Sequence, residues 1–62
     1  MRLKELRIQK GVTQKEVASA IGCSIEAYSK YENSKREPDI LTLKSLSKYF
    51  SVSIDFIVCN DM

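Results

Sequence analysis

The chain has no histidine, only two cysteines, two glycines and one proline. These scarcities remove whole classes of function. Zinc asks for four ligands, and Cys23 and Cys59 stand 36 residues apart with no second ligand beside either, so no metal site is expected. No glycine-rich phosphate loop is present, and no nucleophile has a base placed next to it. Catalytic residues, a cofactor and a small-molecule ligand are therefore not expected. No apolar run approaches the roughly 18 residues of a membrane helix, and the opening MRLKELRIQK is amphipathic rather than signal-like. A cytoplasmic protein without a membrane partner is the expectation. Cys23 reads as a buried thiol in the place of a small apolar residue, and Cys59 is given a structural reading too.

Alternating strand patterns, repeats and low-complexity tracts are also missing, which leaves helices. Sixty-two residues make one domain. A chain this short buries only about 60% of its unfolded surface, so its packing must be good or it must oligomerise. A first helix is predicted over Arg2–Lys10, with Leu3 and Leu6 inward and Gly11 as its stop. Thr13 is a good N-cap and Glu16 answers it three residues later, forming a capping box. Val17, Ala18 and Ile21 then recur at helical spacing over about 14–21. Gly22 follows where a left-handed turn is needed. Ser24 caps a third helix over about 25–32, whose Tyr28 and Tyr31 face back toward the second. The polar, basic segment Asn33–Pro38 (NSKREP) is a loop. Asp39 caps a fourth helix running to about Phe50, with Ile40, Leu43, Leu46 and Phe50 spaced by three, three and four. Ser51–Ser53 connects it to a short last helix from Ile54 to about Cys59. The predicted fold is a compact, all-α, five-helix domain.

The expected core is Leu3, Leu6, Val12, Val17, Ala18, Ile21, Tyr28, Leu43, Leu46, Phe50, Val52, Ile54 and Ile57. Phe56 and Val58 have no inward role in this arrangement. An exposed apolar patch at that end of a small domain usually marks an interface, so they are the expected dimer contact. Net charge is only +2, but it is unevenly placed: residues 1–36 carry eight Lys/Arg against four Asp/Glu, and residues 37–62 carry two against four. The positive half is the half that holds residues 13–32. Solvated helix faces would account for this as well, so charge alone does not decide.

A helix, a short turn containing glycine and a second helix crossing it steeply is the helix-turn-helix arrangement of DNA-binding proteins, here at about 14–32. Arg7, Gly11, Thr13-Gln14, Gly22, Tyr31-Glu32-Asn33, Pro38 and the closing VSIDFI together resemble the Cro and phage-repressor (XRE) family, with its lambda-repressor-like fold. The resemblance runs from Leu3 to Val58. It implies a sequence-specific transcriptional regulator, a repressor by expectation, that binds double-stranded DNA as a homodimer. It also implies that helix 25–32 enters the major groove, with Ile25, Glu26 and Lys30 reading bases. Lys30 would donate to guanine, Glu26 accept from the cytosine amino group, and Ile25 pack on a thymine methyl. The family usually has polar or basic side chains at these three positions. Gln14, Ser24, Asn33, Lys35 and Arg36 would contact phosphates, and Gln14 would also brace the recognition helix. Arg7 and Glu32 would form a partly buried ion pair. Ser34 stands where the family usually has glycine. Tyr28 fills an inward slot, its hydroxyl either reaching the edge of the core or bonding a DNA phosphate. The competing expectation is a protein-interaction module, such as an antitoxin component, with weak or secondary DNA binding.

Overall fold

The computed structural model describes residues 1–58, which form five α-helices: α1 (Leu3–Lys10), α2 (Gln14–Ile21), α3 (Ile25–Glu32), α4 (Ile40–Phe50) and α5 (Ile54–Val58). Four of the five begin on a side-chain cap. The Thr13 hydroxyl accepts from the Glu16 N–H at 3.1 Å, and the Glu16 carboxylate accepts from the Thr13 N–H at 3.0 Å. Ser24 accepts from the Ala27 N–H at 3.1 Å, Asp39 from Thr42 at 2.8 Å and Ser53 from Phe56 at 3.0 Å. Each cap satisfies a first-turn donor that the helix itself leaves without a partner.

The four ends that follow share one device. A left-handed residue stands after each helix: Gly11 (φ 75°), Gly22 (φ 78°), Ser34 (φ 58°) and Ser51 (φ 57°). Beyond each, the next N–H donates to the carbonyl five residues back. The bonds run from Val12 to Arg7 at 3.3 Å, Cys23 to Ala18 at 2.9 Å, Lys35 to Lys30 at 2.9 Å and Val52 to Ser47 at 3.1 Å. This is the long-range bond of the Schellman motif, which closes a helix by consuming its last free carbonyls. Two of the four sites lack the glycine that the conformation favours.

The inner surfaces of all five helices meet on Leu3, Val17, Ala18, Tyr28, Tyr31, Leu46 and Ile57. Leu6, Val12, Ile21, Leu43, Phe50 and Val52 pack half-buried around them, and Ile54 is half-buried as well. α2 contacts both α3 and α4, and α4 contacts α1 and α5. The Arg2 N–H donates to the Ile57 carbonyl at 2.9 Å, tying the first residues to α5.

The structure departs from the sequence reading at several points. Arg2 lies outside α1, at φ −98° and ψ 19° with no side-chain cap, so the helix starts at Leu3. Tyr31 belongs to the core. Ile40, which is not in the expected core, is 58% exposed. Successive spacings of three swing it roughly 90° round α4 from the mean direction of Leu43, Leu46 and Phe50. Cys23 is a half-buried free thiol at the edge of the core rather than a buried one. Partial burial still pushes it up from the ordinary thiol value. Cys59, and with it the expected end of α5, lies outside the described residues. No helix among the described residues is long and apolar enough to cross a membrane.

Candidate nucleic-acid interface

The left-handed turn at Gly22 and the Ser24 cap set the direction in which α3 leaves α2. Within α3 the side chains then divide cleanly. Tyr28 and Tyr31 are buried against the core, while Ile25, Glu26 and Lys30 face solvent, Ile25 with 42% of its surface exposed. On a helix turning 100° per residue, positions 25, 26 and 30 fall within about 140° of arc, and 28 and 31 lie on the other side. One face of α3 is thus spent on the fold and the other is free to be read. Glu26 and Lys30 stand four residues apart on that outer face, an arrangement in which acid and base attract weakly.

Behind α3, side chains from α1 and α2 converge on its Glu32 carboxylate. Arg7 of α1 donates through Nε to Glu32 Oε2 at 2.6 Å and through Nη2 to Oε1 at 3.5 Å, the two-point contact for which guanidinium is shaped. Its Nη1 also donates to the Val12 carbonyl at 3.1 Å. Gln14, at the start of α2, donates from Nε2 to Glu32 Oε1 at 3.1 Å. Glu32's side chain is only 2% exposed and Arg7's 17%. Burial alone would push the Glu32 carboxyl up. Hydrogen bonds from Arg7 and Gln14, with the Tyr28 hydroxyl nearby, outweigh it and hold the group below the ordinary carboxylate value. The same contact raises Arg7 above its usual value, so the pair is ionised at any physiological pH.

Tyr28 is enclosed. Its hydroxyl is shut off from solvent and makes no hydrogen bond at acceptable geometry. A DNA phosphate has no path to it, which removes the sharper of its two expected roles, and it does not reach the edge of the core either. Burial first, and the Glu32 carboxylate beside it second, push its phenol far above the ordinary value.

The residues expected to meet phosphates lie on two stretches. Gln14 is half-buried, with one amide hydrogen given to Glu32 and one left over. The N–H groups of Gln14 and Lys15 open α2, where helix geometry supplies no partner and favours an anion. The Ser24 oxygen is engaged in capping α3, while its own proton remains available. Asn33 ends α3 and its Nδ2 reaches Ser29 Oγ at 3.4 Å. Lys35 and Arg36 follow, both exposed, on a loop pinned by the Ser34 turn and by the buried Pro38. Phe56 and Val58 are 45% and 39% exposed on α5. One face of the Phe56 ring is covered by the Arg2 guanidinium, 4.8 Å from its centroid. That contact is invisible to a reading along the chain, because cation and ring are 54 residues apart.

Residues 3–57 match the family described as Helix-turn-helix. The chain belongs to that family. This helix-turn-helix chain is 44% identical over 57 residues to a prophage-derived uncharacterized HTH-type transcriptional regulator, YonR, of Bacillus subtilis; the match covers 92% of the chain and 53% of the relative. It is 38% identical to the HTH-type transcriptional activator BcrR of Enterococcus faecalis, over 97% of the chain and 29% of the relative. It is 32% identical to the cryptic phage transcriptional repressor RstR of Vibrio cholerae, over 92% of the chain and 51% of the relative. The chain spans about half the length, or less, of these curated relatives. No solved structure is significantly similar to it.

Proposed function

We propose that the chain is a sequence-specific DNA-binding regulator of transcription that lays α3 in the major groove and works as a homodimer on an inverted-repeat operator. The observation that carries this reading is the two-sided α3. Its inner face is locked by Tyr28, Tyr31 and the Glu32 network, and its outer face offers Ile25, Glu26 and Lys30 with no structural duty. A groove about 12 Å wide admits such a helix.

Base reading falls to Ile25, Glu26 and Lys30, and backbone contact to Gln14, Ser24, Asn33, Lys35 and Arg36. Glu26 is the unusual reader. An acid close to phosphates costs affinity unless it finds a donor, so it specifies cytosine or weakens binding everywhere. One reading helix meets too few base pairs for tight selective binding. A twofold pair would set two such helices about 34 Å apart on successive major grooves, the general spacing of the motif rather than a quantity of this chain. Phe56 and Val58 on α5 are the anchors of that pair. A repressor in Vibrio cholerae and an activator in Enterococcus faecalis both occur among the relatives. Blocking polymerase access is the simpler outcome of operator binding, and repression is the sign proposed.

Selection of bound sequences from a random duplex pool, followed by salt-titrated affinity on the winner, tests the reading. An enriched inverted repeat with half-sites about one helical turn apart, and a salt slope of several phosphates, is expected. Weak binding with no enriched motif refutes it and favours the protein-interaction alternative.

A further inference from the structure

The buried Tyr28 hydroxyl makes no hydrogen bond, and nothing in the base-reading face uses it. Buried polar groups are almost always bonded, so an idle one asks for a physical reason. Tyr28 and Glu32 stand one turn apart on α3, so their side chains share a face. The carboxylate lies close enough to add to the rise that burial gives the phenol's pKa, yet out of line for a bond. A carboxylate has about four acceptor positions. Here Arg7 Nε meets Oε2 at 2.6 Å, while Arg7 Nη2 at 3.5 Å and Gln14 Nε2 at 3.1 Å share Oε1. Of these donors, Gln14 alone is uncharged, and it is the one with a duty proposed outside the network.

We propose that the Tyr28 hydroxyl is a reserve donor for Glu32, taking the carboxylate over when the Gln14 amide turns outward, which makes Tyr28 a positioning residue for Gln14. The inference rests on the regulator reading above, in which Gln14 meets a phosphate, and adds what holds Glu32 when it does. The Glu32 side chain is 2% exposed, so water does not replace a departing amide. Without a substitute, moving Gln14 would strip a buried anion of a donor, and that loss would keep the amide inward. A hydroxyl waiting in the same shielded space removes the penalty. Bonds from O–H to a carboxylate are short and strong, so Glu32 gains at least as good a partner. Tyr28 gains as well, since its hydroxyl passes from unbonded to bonded. Arg7 keeps its two-point hold in both arrangements, and the ion pair is undisturbed. A phenylalanine in this slot would fill the same space but could not make the exchange.

The consequence is a link between the core and the backbone contact at Gln14. The two arrangements differ by one bond exchanged for another, so the attraction of a phosphate for the amide is enough to shift the population between them. The second hydrogen of the Gln14 amide defines the competing arrangement, in which a fixed amide donates to Glu32 and to a phosphate at once. That arrangement leaves the Tyr28 hydroxyl idle with or without DNA. The two are therefore told apart at Tyr28 itself.

A urea-unfolding cycle without DNA tests the exchange first. In the unaltered chain Tyr28→Phe should change the unfolding constant by less than about three-fold, because the hydroxyl has no bond to lose. In a Gln14→Ala chain the same change should raise that constant by at least about ten-fold, because there the hydroxyl carries the bond. Equal effects in the two backgrounds overturn the proposal. Carbon NMR of ring-labelled tyrosine gives a second readout, with the Tyr28 Cζ resonance assigned by its loss in Tyr28→Phe. It should move downfield in Gln14→Ala as the phenol begins to donate to an anion, and an unmoved resonance again overturns the proposal. Should Gln14→Ala fail to fold, Gln14→Met, which keeps the stem and lacks the donor, replaces it in both measurements. A short random-sequence duplex is then added to the unaltered chain at low salt, and the same downfield movement is expected on binding. Binding that leaves the Tyr28 resonance in place means that one amide serves both partners, which sinks the exchange and leaves the regulator reading standing. A coupled cycle and a moved resonance in Gln14→Ala, with no duplex bound, sink the regulator reading alone.

Discussion

Serine at two left-handed helix ends is the clearest residue-level departure from what the backbone prefers. The left-handed conformation costs a residue with a Cβ about 1–2 kcal/mol, of which glycine's greater unfolded freedom returns a part. Ser51→Gly, remote from the reading face, should therefore stabilise the chain by about 1 kcal/mol and raise its melting temperature by about 4–8 °C. Gly22→Ala should cost a similar amount; no atom lies within 4 Å of the added methyl, so the loss is backbone strain and not a clash. Thermal melts of both variants check the pair of signs. Glu32→Gln would leave Arg7 facing a neutral amide in a shielded site and should cost about 3 kcal/mol, a large share of the stability of so small a domain. Because folding lowers the Glu32 pKa, its contribution is complete above the unfolded value of about 4.3 and fades as pH falls through the folded one. Tyr28 works in the other direction. Its raised pKa makes its contribution complete below about 10 and lost at higher pH, as the unfolded phenol ionises and the folded one resists. Denaturant midpoints against pH should show both limbs, with Glu32→Gln flattening the acid one and Tyr28→Phe the alkaline one.

At the scale of elements, α3 and the loop after it should separate specificity from affinity. Lys30 projects from the outer face of α3, so Lys30→Ala should lose discrimination at particular base pairs, by about 1–3 kcal/mol. Lys35 sits on the loop, so Lys35→Ala should weaken binding to all duplexes alike and lower the salt slope by about one. Equal, sequence-blind losses from both changes, measured across a panel of operator variants, would refute the assignment of Lys30 as a base reader. The extents of these elements were legible in the chain itself. Thr13, Ser24, Asp39 and Ser53 announce helix starts, and Gly11 and Gly22 announce ends, because caps and left-handed turns are chosen over one or two residues. Ser51 was harder to read. A serine carries no signal for a left-handed end, so its site shows only in the bond from Val52 back to Ser47.

For the whole molecule, the test is assembly. Phe56→Asp should shift the gel-filtration position of the chain from dimer to monomer, and an unchanged elution volume would remove α5 from the interface. Arg2 complicates that surface in a useful way, since its guanidinium already shields one face of the Phe56 ring and leaves the other for a partner. Local chemistry in the sequence determined five helices, their caps and the turn at Gly22, because each depends on residues within a few positions of one another, and the order of these signals along residues 3–57 marked the family. Tertiary structure alone decided that the Tyr28 hydroxyl is sealed from any phosphate, that Gln14 shares Glu32 with Arg7, and that Met1, Arg36 and Val58 line one cleft. Those outcomes join residues as much as 57 positions apart, and only the angles at which helices pack can bring such side chains together.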